Sequence, residues 1–262
     1  MRPGSEATLP MLLKSFRLPT FSRQYGAIAI QAAREGLSHE AYLLALAQQE
    51  AAERNERRTE RLFFDSRLPR EKSLAAFDLG RLPAKARTTL AALRDGAFVD
   101  RATNVIVFGN PGTGKTHLVA GLGQELVRAG RSVLFSPTFQ IVQRLLAAKR
   151  DLRLTAELKR LDRFDALILD DIGYVQQNRE EMEVLFTLIA ERYERRSILI
   201  TSNLVFSKWD QVFKDPMTTA AAVDRVVHHS VIVELNIESY RAQAAKERLR
   251  ATRPTKEANE PG

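Results

Sequence analysis

The sequence contains no cysteine, only one tryptophan and no long uncharged apolar run. Without cysteine the chain cannot form a disulfide scaffold, a thiol nucleophile, or a zinc or iron–sulfur centre held by thiolates. No apolar run approaches the length of about 18 residues that a membrane-spanning helix requires. Charges at Arg2, Lys14 and Arg17 interrupt the N-terminal region, so no signal-peptide core is expected. These absences predict a cytoplasmic protein with no membrane partner.

The composition that remains is that of an ordinary globular protein with a basic excess. Of its 262 residues, 44% are hydrophobic and 27% charged, and 40 Lys and Arg against 32 Asp and Glu give a net charge of +8. This apolar content supports a sizeable buried core and argues against wholesale disorder. The basic excess makes nucleic acid a plausible partner without establishing one.

The chain divides into a helical part, a part that alternates strands and helices, and a short tail. Residues 1–72 show helical periodicity only, with helices predicted over 19–36 and 38–64. Residues 73–250 are predicted to form the catalytic domain, and the Pro- and Gly-containing tail 251–262 to be disordered.

Short apolar segments rich in Val, Ile and Leu recur through the second part, as expected of strands buried on both faces. They are 104–109, 132–136, 166–170, 197–202 and 231–235. Amphipathic helical segments lie between them. This alternation predicts an α/β fold with a parallel sheet and right-handed crossovers.

A phosphate-binding loop follows the first predicted strand. Residues 109–116 match the phosphate-loop pattern at every fixed position and precede a predicted helix. Backbone N–H groups and the helix N-terminus can converge there on phosphates, Lys115 can neutralise them, and the Thr116 hydroxyl can coordinate Mg²⁺. The predicted nucleotide-binding residues are Gly109, Asn110, Pro111, Gly112, Thr113, Gly114, Lys115, Thr116 and His117.

Two acids end the third predicted strand. Asp170 is predicted to direct Mg²⁺ and Asp171 to polarise an attacking water, although two acids in a solvent loop would give the same pattern. The fourth predicted strand ends at the same sheet edge, where Thr201 or Asn203 could contact the γ-phosphate or the water. Asn203 could instead be an ordinary turn residue.

Other motifs narrow the class of protein. The chain lacks the Asn-Lys-x-Asp box that recognises guanine, which disfavours a GTPase. Its histidines show no metal-ligand spacing, and the pair His228-His229 follows an apolar helical stretch, as is typical of a helix end rather than a metal site.

Together these motifs resemble the IstB family, ATP-binding helper proteins encoded beside a transposase in insertion sequences. The resemblance covers nearly the whole chain. It rests on residues 109–118, 170–174, 201–203, 224–229 and 238–241. The last two segments separate this chain from the wider AAA+ superfamily, in which bacterial helicase loaders are the nearest relatives of the family.

The resemblance implies an AAA+ core with sheet order 5-1-4-3-2, ATP and Mg²⁺ as ligands, and ATP-dependent self-assembly on double-stranded DNA beside a cognate transposase. By matching position it implies that Asn203 senses the γ-phosphate and that Arg225 is an arginine finger acting on ATP in a neighbouring subunit. Arg241 is a weaker candidate for a second arginine near the phosphates. Arg225 could instead cap its own helix or pair with Asp224.

One position departs from the AAA+ pattern. The acid after the magnesium-directing residue is most often Glu, whereas this chain has Asp171. Its side chain is one methylene shorter, and proton abstraction is sensitive to reach. We therefore expect slow, DNA-stimulated ATP hydrolysis.

Two charged stretches are candidate DNA-binding surfaces. Residues 144–163 join the second and third predicted strands and hold seven basic and three acidic side chains, with Lys149, Arg150 and Arg153 as candidate phosphate contacts. A solvated helix face explains that stretch equally well. The charge-rich run 54–72 could likewise be either a surface that faces DNA or a partner, or a solvated helix face.

Two other functions remain open. A helicase loader would share the same core, and a nucleotide-binding scaffold without turnover would share the phosphate loop. The set of Lys115, Asp170, Asn203 and Arg225 argues against the scaffold.

Overall fold

The computed structural model describes residues 5–174, 179–209, 216–240 and 243. Its helices are α1 Ser5–Ser15, α2 Pro19–Glu35, α3 His39–Ser66, α4 Ala84–Leu93, α5 Ala97–Asp100, α6 Lys115–Arg128, α7 Thr138–Arg150, α8 Leu154–Leu161, α9 Arg179–Arg192 and α10 Pro216–Val227. Its strands are β1 Asn104–Gly109, β2 Val133–Pro137, β3 Ala166–Asp170, β4 Ser197–Ser202 and β5 Ser230–Leu235. The predictions for Arg241 and for the tail 251–262 concern residues outside the described ones. No helix in the described part of the chain is long and apolar enough to span a membrane.

The chain forms two compact units, residues 1–61 and 62–262. The division falls inside α3, N-terminal to the boundary at 72/73 expected from the sequence. Leu62 and Phe63 pack against the apolar core of the second unit, and Leu68 is buried in it. Helical periodicity continues through this point, so the sequence pattern does not mark where the chain passes from one unit to the next.

The N-terminal unit contains α1, α2 and most of α3. Glu50 of α3 is buried and accepts hydrogen bonds from the backbone N–H of Thr20 at 2.9 Å and of Phe21 at 3.4 Å, at the start of α2. Burial raises the pKa of Glu50, but hydrogen bonds from Arg54 and from these two amides outweigh it and hold the pKa below its ordinary value. Glu50 thus satisfies N–H groups that have no partner within α2.

The second unit is built on one parallel sheet with strand order β2-β3-β4-β1-β5, which confirms the order implied by the resemblance. The observed strand bounds lie within one residue of the predicted ones. Alternate residues of β1 face opposite sides, because Ile106 and Phe108 enter one apolar core and Val105 and Val107 the other. The helices cover both faces, as a buried parallel sheet requires.

Arg192, the last residue of α9, lies where β3 and β4 begin. Its side chain is 1% exposed and donates at 3.0 Å to the carbonyls of Leu161, Phe164 and Ser197. Burial lowers the pKa of Arg192 to about 10. These bonds join the residues before β3 to the first residue of β4. They therefore link the starts of the two strands whose other ends carry Asp170 and Asn203.

Candidate nucleotide-binding site

The phosphate loop links β1 to α6 in a conformation that needs glycine. Gly112 and Gly114 have φ values of 81° and 89°, in the left-handed region where glycine is least strained. A Cβ on Gly114 would also lie 2.8 Å from Cε2 of Phe77. Lys115 is 6% exposed, and its ammonium donates to the carbonyls of Gly109 at 2.9 Å and Asn110 at 3.1 Å. The carbonyl groups of the loop therefore hold the Lys115 ammonium in place.

The other loop residues divide between shaping the loop and lining the cavity beside it. Thr113 is buried and its hydroxyl donates to the Asn110 carbonyl at 2.9 Å, so it shapes the loop. The cavity measures about 370 Å³, within the range of small-molecule sites. The loop residues that line it are Pro111, Gly112, Gly114, Lys115, Thr116 and His117.

The two predicted magnesium ligands lie together. The hydroxyl oxygen of Thr116 is 3.0 Å from both carboxylate oxygens of Asp170, which ends β3. Two oxygens at about this spacing can be neighbouring ligands of a cation bound octahedrally at about 2.1 Å. The donor set therefore fits Mg²⁺, which prefers oxygen ligands and is commonly held by one or two carboxylates together with substrate phosphates.

Asp171 follows with an unusual backbone. Its φ is 55°, and its N–H donates to the Thr201 hydroxyl at 2.8 Å. Asp and Asn adopt this left-handed conformation more readily than most other residues. Asp171 lines the cavity, and so does Asn203.

Asn203 carries an unpartnered acceptor. Its Oδ1 is buried, and no donor reaches it among the residues that the structure describes. A Cβ on Gly173 would lie 2.4 Å from this atom, so glycine is required there for the amide to occupy its place. A buried acceptor without a partner costs about 1–3 kcal/mol. A water or a group of the bound nucleotide can supply the missing hydrogen bond.

Thr201 has a different role from Asn203, a distinction that the sequence left open. The Thr201 side chain is fully buried, and its hydroxyl donates to Oδ1 of Asp170 at 2.6 Å while accepting from the N–H of Asp171. One hydroxyl therefore orients both acids. Sequence reasoning missed this link because it depends on the pairing of neighbouring strands.

Replacing Thr201 with valine should lower ATP turnover and the apparent affinity for Mg²⁺ by about 10- to 100-fold each, the range seen when an outer partner of a metal ligand is lost. Valine keeps the shape but cannot bond either acid. ATP hydrolysis measured across Mg²⁺ concentrations gives both values, and Thr201→Ser is the control that keeps the hydroxyl. A valine variant with the parental Mg²⁺ dependence would contradict this positioning role.

An aromatic wall that no motif marked closes the other side of the cavity. Phe77 packs edge-on against His117, with ring centroids 5.2 Å apart, and lies near Tyr240 at 6.1 Å. The His117 ring nitrogen Nε2 lies 2.8 Å from the Ser73 carbonyl oxygen. Thus the predicted ligand His117 also supports the wall. An apolar wall beside a phosphate loop offers a surface on which a nucleobase can stack.

Tyr240 joins this wall to the phosphate loop. Its N–H donates to the Gly112 carbonyl at 3.0 Å, and the Arg81 guanidinium lies 3.9 Å from the centre of its ring. Phe77 and Tyr240 come from opposite ends of the second unit. Only the tertiary fold brings them together, so no local sequence signal could have identified the pair.

Arg225 lies on α10, outside the residues that line the cavity of its own chain. Its guanidinium carbon is 4.9 Å from the centre of the Phe186 ring, and Nη1 donates to the Ala221 carbonyl at 3.3 Å. Within the described residues it forms no ion pair with Asp224. The bond to the Ala221 carbonyl is one contact expected if Arg225 caps its own helix. The ion pair with Asp224, the other alternative, is not seen among the described residues.

The histidine pair directly follows α10, and with Glu194 it places three possible metal-ligand atoms within 4.8 Å of one another. His228 Nδ1 lies 3.0 Å from the Tyr193 hydroxyl, and His229 Nε2 lies 3.3 Å from a carboxylate oxygen of Glu194. The contacts with residues 193 and 194 join α10 to the turn before β4.

The candidate DNA-binding residues lie where α7 meets α8. Lys149 pairs with Glu183 at 2.8 Å, whereas Arg150 and Arg153 are exposed and form no ion pair within the described residues. In the run 54–72, Arg54 and Arg57 bond glutamates of their own helix. Both stretches therefore contain paired cations, and at the α7–α8 corner Arg150 and Arg153 are exposed.

Residues 11–248 match the family described as IstB-like ATP binding protein. The chain belongs to this family. It is 44% identical over 246 residues, 94% of this chain and 83% of the relative, to the insertion sequence ATP-binding protein y4iQ/y4nD/y4sD of Sinorhizobium fredii. It is 39% identical over 233 residues, 89% of this chain and 88% of the relative, to the insertion sequence IS21 ATP-binding protein of Pseudomonas aeruginosa.

Solved structures share the fold of this IstB-like protein. AMPPCP-bound DnaA from Aquifex aeolicus superposes with a TM-score of 0.55 at 22% identity, covering 71% of this chain and 57% of that one. DnaI gives a TM-score of 0.53 at 20% identity, covering 64% and 95%. This likeness shows the fold alone. It confirms the predicted AAA+ fold, the family match shows an ATP-binding protein, and the site geometry is consistent with ATP hydrolysis.

Proposed function

We propose that this IstB-like protein is the ATP-dependent DNA-binding helper of a transposase, assembling on double-stranded DNA and recruiting or stimulating the cognate transposase. The observation that carries the proposal is the assembled site of Lys115, Thr116, Asp170 and Asn203 at one sheet edge. Its context is a chain whose relatives at 44% and 39% identity are insertion sequence ATP-binding proteins.

In this proposal each residue of the site acts on a different part of ATP. Lys115 leaves its loop carbonyls to contact the β- and γ-phosphates, and Thr116 and Asp170 hold Mg²⁺, which screens phosphate charge when bound. Asp171 accepts a proton from the attacking water, and Asn203 orients that water or the γ-phosphate. The short side chain of Asp171 favours slow hydrolysis, so the ATP-bound form persists.

Self-assembly completes the site in this scheme. Arg225 lies outside the cavity of its own chain, and its guanidinium packs over Phe186. An arginine that acts on a neighbour's ATP would be placed away from its own phosphate loop. Each ATP would then be hydrolysed only between two subunits, which couples turnover to assembly.

The α7–α8 corner is the proposed contact with the DNA backbone. Its exposed cations are Arg150, Arg153, Lys159, Arg160 and Arg163. Contacts of guanidinium and ammonium groups with phosphates do not depend on base sequence. Such a surface suits a helper that accepts many target sites.

DNA affinity should therefore fall steeply with salt, by about 10³- to 10⁵-fold between 50 and 200 mM if six or more phosphates are contacted. Replacing Arg150 and Arg153 with glutamine should reduce the slope of log K against log salt by about 2. Fluorescence anisotropy with duplex DNA and a non-hydrolysable ATP analogue measures both.

The matched control is the double change Arg94→Gln and Arg128→Gln, which removes the same charge from side chains that face Glu125. The control should keep the parental slope. An unchanged slope in the Arg150 and Arg153 variant would remove the corner from the DNA surface, while affinity insensitive to salt would contradict phosphate contacts altogether.

The transposase partner is tested separately. Strand transfer by the transposase encoded beside this chain should rise when the helper is added with ATP, and Lys115→Ala should not support the rise. The alternative function is helicase loading, which would use the same ATP-binding core. Delivery of a replicative helicase onto DNA, with no effect on strand transfer, would favour that alternative.

A further inference from the structure

Leu152 exposes an apolar side chain to solvent. It follows the end of α7, and at 95% exposed it is the most exposed large apolar residue in the described part of the chain. Its φ is 57°, so its backbone is left-handed. Positive φ is uncommon for residues other than glycine because Cβ crowds the following carbonyl, although five other non-glycine residues of the described chain also adopt it.

The local hydrogen bonds show which residue this position favours. The N–H of Arg153 donates to the Ala148 carbonyl at 2.7 Å and that of Leu152 to the Lys149 carbonyl at 3.1 Å. This is the helix-ending pattern in which glycine usually occupies the left-handed position. The same two bonds follow α6, where the residue is Gly130 with φ of 80°. They also follow α1 and α5, where Arg17 and Ala102 occupy the left-handed position.

The fold gains nothing visible from leucine at 152. Two residues later, Leu154 packs partly buried against the main apolar core and anchors the corner. Leu152 joins neither apolar core. Leu152 is therefore an exposed apolar surface that a contact outside the chain would cover.

The surroundings of Leu152 identify the chemistry of that contact. Arg150 and Arg153 flank it, both exposed and without an ion pair within the described residues. An apolar tip between two guanidinium groups complements duplex DNA, in which anionic phosphates border a groove lined by sugars and base edges. Apolar side chains inserted between base steps from the minor groove partly unstack them.

We infer that Leu152 is a wedge that enters the minor groove of bound duplex DNA and partly unstacks one base step, with Arg150 and Arg153 on the adjacent phosphates. This inference rests on the DNA binding proposed above and adds a source of target preference. Pyrimidine–purine steps such as TA unstack most easily, so they should be favoured without any hydrogen bond to a base.

The test uses the full chain, a non-hydrolysable ATP analogue and a duplex of alternating TA steps with 2-aminopurine at selected adenines. Binding of the parent protein should raise the 2-aminopurine fluorescence, because unstacking relieves its quenching. Leu152→Gly and Leu152→Asn should lose most of this rise, whereas Leu152→Met, which keeps an apolar side chain, should retain it. The salt slope of binding should be the same in all four proteins, because both arginines remain.

Stability provides the matched control. Leu152→Gly removes the strained Cβ and should leave the midpoint of thermal unfolding unchanged or raise it by about 2–4 °C. A gain or no change in stability beside a loss of base unstacking cannot arise from damage to the fold.

The outcomes separate the wedge from the function on which it rests. Salt-dependent binding with no rise in fluorescence, or a full rise with Leu152→Gly, would overturn the wedge and leave DNA binding intact. No binding by the parent protein even at low salt would overturn the proposed function and the wedge together. A glycine variant that unstacks DNA normally but loses assembly or transposase stimulation would assign Leu152 to a protein interface, against the inference.

Discussion

Replacing Lys115 with alanine should abolish ATP binding and with it hydrolysis. The loop backbone would still present its N–H groups. Two lysines line the cavity in the described residues, Lys72 and Lys115, and the phosphates would lose the one that the loop supplies. Charge neutralisation by this lysine is a principal source of affinity in phosphate-loop proteins. Isothermal titration with ATP and Mg²⁺, followed by a phosphate-release assay with duplex DNA, measures the loss.

Two controls make this result specific. Lys85→Ala removes an exposed lysine from α4 of the same unit and should leave ATP binding unchanged. Thermal unfolding of Lys115→Ala without nucleotide shows whether the loop, which loses two hydrogen bonds to its carbonyls, still folds. A folded Lys115→Ala protein that hydrolyses ATP at the parental rate with DNA would show that residues 109–116 are not the nucleotide loop.

The parts of this molecule that local patterns determine were predictable from sequence. Buried parallel strands need continuous apolar runs, and each of the five runs became a strand within one residue of its predicted bounds. The phosphate loop follows the end of β1 and Asp170 ends β3, so the strand assignment placed Thr116 and Asp170 at the same edge of the sheet. The sheet order required the resemblance, because an apolar run does not specify its neighbours.

The parts that depend on long-range packing were not predictable. The wall of Phe77 and Tyr240 joins segments from the two ends of the second unit. The hydroxyl of Thr201 reaches Asp170 only because β3 and β4 are adjacent. The left-handed backbone at Asp171 gave no signal in the sequence, because other residue types adopt the same φ elsewhere in this chain.

Arg225→Ala should bind ATP normally yet hydrolyse it about 10³-fold more slowly or worse, the effect of removing an arginine finger in other phosphate-loop enzymes. Arg225 lies outside the cavity of its own chain, so its removal should not disturb the ATP contacts of that chain. Guanidinium presents a planar fork that suits developing phosphoryl charge, so Arg225→Lys should recover little activity. Single-turnover hydrolysis with duplex DNA measures the rate, and direct titration measures the affinity.

The decisive measurement is a mixture of two inactive proteins. Arg225→Ala retains its phosphate loop, and Lys115→Ala retains its arginine. In mixed assemblies some interfaces pair an intact loop of one subunit with an intact Arg225 of the next, so activity should return and pass through a maximum as the mixing ratio varies. Because Arg225 packs over Phe186, Arg225→Met, which keeps much of that packing, separates a catalytic defect from a folding one. If both variants fold and co-assemble but the mixture stays inactive, Arg225 does not act between subunits, and its bond to the Ala221 carbonyl becomes its main role.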